Sequence, residues 1–147
     1  MSQRKSEYTR MAGDLYVTPK WVWEALYNVE PWASKAWDCA PVAADFDFLS
    51  MPYRYQDIAS NPPFSLADRF CRHSLGMANR VAMLLPHTFD TAKSRIDLWL
   101  RPFKIKYILT DRIRWDNLEQ KKNGPSTNHA WYVFDQNYSG PPMMGWL

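Results

Sequence analysis

The 147-residue chain carries 18 Lys and Arg against 15 Asp and Glu, a formal charge of +3 with 46% hydrophobic residues, which suits one domain with a moderate core. The mild basic excess permits a nucleic-acid partner without requiring one. Two cysteines without a CxxC pair or His-rich cluster argue against a disulfide framework and against a metal site, and no signal peptide or apolar run near the ~20 residues of a membrane span is visible, so a soluble protein of a reducing cytoplasm is expected.

Residues 1–14 are polar and read as a flexible N-terminus, leaving 15–147 as a single domain. In "YVTPKWVWEALYNV", Thr18 is a candidate N-cap and Pro19 a first helical residue, with Val22, Leu26 and Val29 on one face of a helix over 19–29. "SKAWDCA" (34–40) reads as a short buried strand ending near Asp38. Residues 41–56 have no clean period and read as loop with one helical turn. "DIAS" is a short strand, followed by "NPPFSLADRF", in which Ser65 can cap a helix over 66–78 and Asp68 stands three residues on.

"RVAMLLP" (80–86) is a nearly continuous apolar run, the pattern of a strand covered on both faces. A helix is expected over 90–100, a strand in "KIKYILT" continuing into "RIRW", and a last strand in "HAWYVFD" (129–135), with 116–128 an exposed loop around Gly124-Pro125. Strands alternating with helices predict an α/β sandwich with a mainly parallel sheet. Ligands of such sheets bind beyond the carboxyl ends of the strands, where both "WD" (37–38) and "NPPF" (61–64) fall.

Asn61-Pro62-Pro63 makes a stiff corner, because each proline fixes its own φ and restrains the residue before it. The side-chain oxygen of Asn61 and the carbonyl of Pro62 could accept both hydrogens of an exocyclic amine, and Phe64 offers a flat face for a ring. The stretch resembles the fourth motif of the amino-group DNA methyltransferases that use S-adenosylmethionine, and is most similar to the small family common in bacteriophages and prophages. Tyr16, Thr18 and Pro19 match that family's Tyr-x-Thr-Pro, and "NPPFSLADRF", "VAMLLP", "RIRW", "HAWYVFD" and "GPPMMGWL" its later segments, so the likeness spans most of 15–147.

The resemblance implies a Rossmann-like class I fold and favours adenine N6 over cytosine N4 as the methylated atom, reached in DNA by flipping the base from the stack. It implies catalytic roles for Asn61, Pro62, Pro63 and Phe64, and no metal. Tyr16, Thr18, Pro19, Asp38, Cys39, Ala40 and Asn61 would line the cofactor side, with Asp45 or Asp47 replacing the usual ribose-binding acid. Arg112, Arg114, Lys121 and Lys122 are candidate phosphate contacts, and a phage-encoded protein would work in the host cytoplasm.

One segment departs from the pattern. The Gly-rich turn expected after the first strand is replaced by Pro41-Val42-Ala43-Ala44, and Asp38 lies only 23 positions before Asn61, whereas one β-α-β crossover takes about 30 residues. At least one strand of the cofactor-binding half is therefore expected to be missing. An active enzyme and a non-catalytic relative that binds DNA or a partner subunit both stay open, as does a homo-oligomer covering the edges of a shortened sheet. His73, His87 and His129 are expected to serve structure.

Overall fold

The computed structural model describes residues 16–40, 47–52, 54, 56–115 and 127–147. The first helix, α1 (Lys20–Val29), follows Pro19, which is itself the cap residue, with φ −57° and ψ 146°. The expected Thr18 cap is thus displaced by one residue, and its hydroxyl serves another partner. Val22 and Leu26, one turn apart, are fully buried.

Five strands follow: β1 (Asp57–Ser60), β2 (Arg80–Pro86), β3 (Phe103–Ile108), β4 (His129–Asp135) and β5 (Met143–Trp146). They form one sheet in the order β1-β2-β4-β3-β5. β1 pairs with β2, and β3 with β5, in parallel; β4 is antiparallel to both of its neighbours. Four strands therefore point one way and β4 runs against them, so the sheet is mixed within an α/β fold.

Side chains alternate between the two faces with the period of two that strands impose. On one face Ile58, Val81, Met83, Tyr132 and Phe134 pack with Phe70, Cys71 and Leu75 of α2 (Ala67–Met77). On the other, Ala59, Ala82, Leu84, Trp131 and Val133 meet Val22 and Leu26 of α1. Covered on both faces, β2 buries Val81 to Leu85 without a break, which accounts for its continuous apolar run.

Further expectations are corrected. The strand over 34–40 contracts to one bridging residue, because Pro31 opens a 3-10 helix that runs to Lys35. Trp37 alone of this segment then makes backbone bonds to β1, donating to Asp57 O at 3.1 Å and accepting from Ala59 N–H at 3.0 Å. The helix over 90–100 is two 3-10 turns, Phe89–Thr91 and Lys93–Arg95, before the single turn α3 (Ile96–Trp99), since Ala92 between them is extended. Ser65 lies in a 3-10 turn and Leu66 holds the cap position of α2.

"RIRW" is not a strand. The ladder bonds beyond β3 end at Leu109 and Thr110, which donate to His129 O and Leu147 O, and the chain leaves the sheet there. β5 comes instead from "MMGW", which sequence reading passed over because two prolines and a glycine obscure its alternation. The flexible N-terminus expected over 1–14 lies outside the described residues.

Candidate active site

The parallel strands all end at one margin of the sheet, and at that margin the chain leaves β1 through Asn61-Pro62-Pro63-Phe64. Pro62 and Pro63 are buried and hold the corner, while the Phe64 ring stays 52% exposed. Asn61 Nδ2 donates to Thr18 Oγ1 at 3.1 Å. That bond occupies the donor end of the amide and leaves Oδ1 as its acceptor end.

Asp38 is placed beside this amide by the Trp37 bridge. Ser60, fully buried, donates from Oγ to Asp38 Oδ1 at 2.6 Å, and the Ala40 N–H donates to the same oxygen at 3.0 Å. Burial raises the Asp38 carboxyl above the usual carboxylate range, opposed by the Ser60 and Ala40 hydrogen bonds. Desolvation, then the Asp38 charge, also raises the nearby Tyr27 phenol.

Tyr16, Thr18, Asp38, Ala40 and Asn61 together line a cleft of about 210 Å³, completed by Val17 and Trp23. Five of the residues expected on the cofactor side thus come from three separate segments to one surface. Three others, Pro19, Cys39 and Asp47, do not join them. Pro19 is buried at the start of α1, Cys39 is 2% exposed in the core cluster that contains α2, and Asp47 accepts from Leu49 N–H at 3.1 Å to cap a 3-10 turn. Asp45, Lys121 and Lys122 lie outside the described residues.

Trp23 and Val17 are lining residues that sequence reading missed. Trp23 falls off the Val22–Leu26 stripe, and the available signal was its place in the first turn after Thr18-Pro19. Its ring is braced 5.1 Å from buried Trp131 and 6.1 Å from Tyr27. On the Tyr16 side, ring centroids run from Tyr16 to Trp115 at 5.5 Å and from Trp115 to His129 at 5.5 Å. Arg112 and Arg114 flank this row on the exposed surface, with Arg112 Nε donating to Asn128 Oδ1 at 3.0 Å.

His129 is not part of the cleft. Burial lowers its pKa to about 4, opposed by a backbone hydrogen bond at Thr127 and helped slightly by His87. A larger cleft of about 350 Å³ opens at the opposite ends of β1 and β2, between Trp32, Trp37 and the Arg80–Asp57 pair. There the guanidinium bonds both carboxylate oxygens at 2.7 Å and lies 4.9 Å over Trp32, so that pair is internally satisfied, with Lys35 as the further charge of the lining; the smaller cleft is where the predicted residues converge. Among the described residues no His, Cys, Asp and Glu cluster could hold a metal ion, and no helix is long and apolar enough to cross a membrane.

No family model and no curated protein matches the sequence. Among solved structures, the chain is similar to a proposed RNA methyltransferase from Pyrococcus horikoshii, at 20% identity and a TM-score of 0.44 over 59% of this chain. The match spans 46% of that structure, under half of its length.

Proposed function

We propose that the chain is an S-adenosylmethionine-dependent DNA methyltransferase acting on adenine N6. The observation that carries the reading is the junction of Asn61, Thr18 and Asp38 in one cleft at the carboxyl end of β1, with the Asn61 amide bonded to Thr18. An amide locked in that sense presents a fixed acceptor to an exocyclic amine, whose lone pair then points away from the acceptor. The half-exposed Phe64 ring next to it supplies a surface on which a flipped base can stack.

The cleft fits the methyl donor in charge. Asp38 is the one formally charged residue among the seven that line it, which suits a ligand with cationic groups. In size the cleft, at about 210 Å³, takes one end of the donor, since whole-ligand pockets run from roughly 300 Å³ upward. Tyr16, Thr18, Asp38, Ala40 and Asn61 would hold it. When bound, S-adenosylmethionine supplies an electrophilic methyl group; the chain's own part is to orient the amine through Asn61, hold the base on Phe64 and keep water from the junction with the buried prolines.

The small volume also favours a second reading, a non-catalytic relative that keeps the base-side surface and binds DNA alone or with a partner subunit. Incubation with DNA and methyl-labelled S-adenosylmethionine separates the two. Label on N6 of adenine supports the enzyme, and DNA binding with no label and no calorimetric response to millimolar donor supports the relative.

A further inference from the structure

We infer that the cleft recognises the positive charge on the donor's sulfur, with the Trp23 and Tyr16 rings as its walls and Asp38 as counter-charge, so that the chain binds S-adenosylmethionine more tightly than the demethylated product. This deepens the methyl-donor reading and rests on it.

The two ligands share adenosine, ammonium and carboxylate groups and differ by one methyl group and one charge. Any difference in affinity therefore reports on what surrounds the sulfur. In a protein of net charge +3, this cleft is lined by two aromatic rings and a carboxylate, with no Lys, Arg or His. Aromatic faces attract onium groups through their quadrupole, more strongly where water is displaced.

Trp23 is already held for this, its ring centroid 5.1 Å from Trp131 and 6.1 Å from Tyr27, so little ordering is needed on binding. The Ser60 and Ala40 bonds both end on Asp38 Oδ1, leaving Oδ2 as the oxygen able to meet a cation. The raised pKa of that carboxyl, set first by burial, is the behaviour of an acid lacking a counter-charge.

Calorimetric titration of the full chain with S-adenosylmethionine and with S-adenosylhomocysteine tests this. The expected result is about tenfold tighter binding of the charged ligand, erased in Trp23→Leu through weaker donor binding at unchanged product binding, and largely kept in Trp23→Phe, which also guards against misfolding. Equal affinities in the unaltered protein overturn the inference while sparing the methyl-donor reading, as does a Trp23→Leu change that weakens both ligands alike. Absence of binding by either ligand overturns the methyl-donor reading, and this inference with it.

Discussion

Asn61 has one amide and two neighbours to serve. Because Thr18 accepts from the donor end, the acceptor end has a fixed direction, and under the proposed function Thr18 would be a positioning residue. Thr18→Val should lower kcat about tenfold with little change in KM for DNA, the worth of one oriented hydrogen bond, and Thr18→Ser should restore most of it. Asn61→Ala should abolish transfer while leaving DNA affinity, read by gel shift, nearly intact. His129 makes a separate prediction about stability. Its pKa falls from 6.5 in the unfolded chain to about 4 in the fold, so below pH 6.5 the unfolded chain takes up the proton first. The stabilisation is complete above pH 6.5, declines as pH falls towards 4, and amounts to about 3 kcal/mol at most. Urea unfolding at pH 7.5 and 4.5 should show a steeper loss in the native protein than in His129→Gln.

Each helix presents one stripe to one face of the sheet, and α1 holds both its place and part of the cleft through that stripe. Leu26→Ala empties a fully buried site and should cost about 3 kcal/mol in denaturant unfolding. Trp23 fluorescence should change with it, because the same helix carries that ring. Cys39 and Cys71 are buried, and burial raises both thiols, Cys39 to about 12. Neither should react with a disulfide reagent at pH 8 in the folded chain, and both should in guanidinium. β2 and β4 were legible to the residue, because a strand covered on both faces shows its boundaries as the limits of an apolar run. β5 was not legible, since an edge strand with exposed Met143, Met144 and Trp146 has no buried face to write into the sequence. Nor was the single bridge at Trp37, which depends on where Pro31 starts a 3-10 turn.

At the scale of the molecule, the sequence showed that strands alternate with helices but not that β4 is inserted against its neighbours. Strand direction depends on pairing between residues far apart, and the connection from β3 to β4 leaves either sense open. Five of the seven residues that line the cleft were named from the sequence, but not the bond that joins two of them. Thr18 was recognised as belonging near Asn61 by likeness, but its bond to the amide follows only from the displaced start of α1. That Asp38 and Asn61 share a cleft depends on the pair of backbone bonds between Trp37 and β1 and on the Ser60–Asp38 bond.

The placement of β4 also governs how the chain is made. β2 and β3 do not pair with each other; each pairs with β4, which is synthesised after both. A nascent chain leaving the ribosome N-terminus first can pair β2 with β1 early, but the β4-facing edges of β2 and β3 stay unpaired until β4 is free, and β5 can join β3 only after that. Chains stalled before β4 should be cut rapidly by protease and held by chaperones, and resistance should appear abruptly once that strand is free.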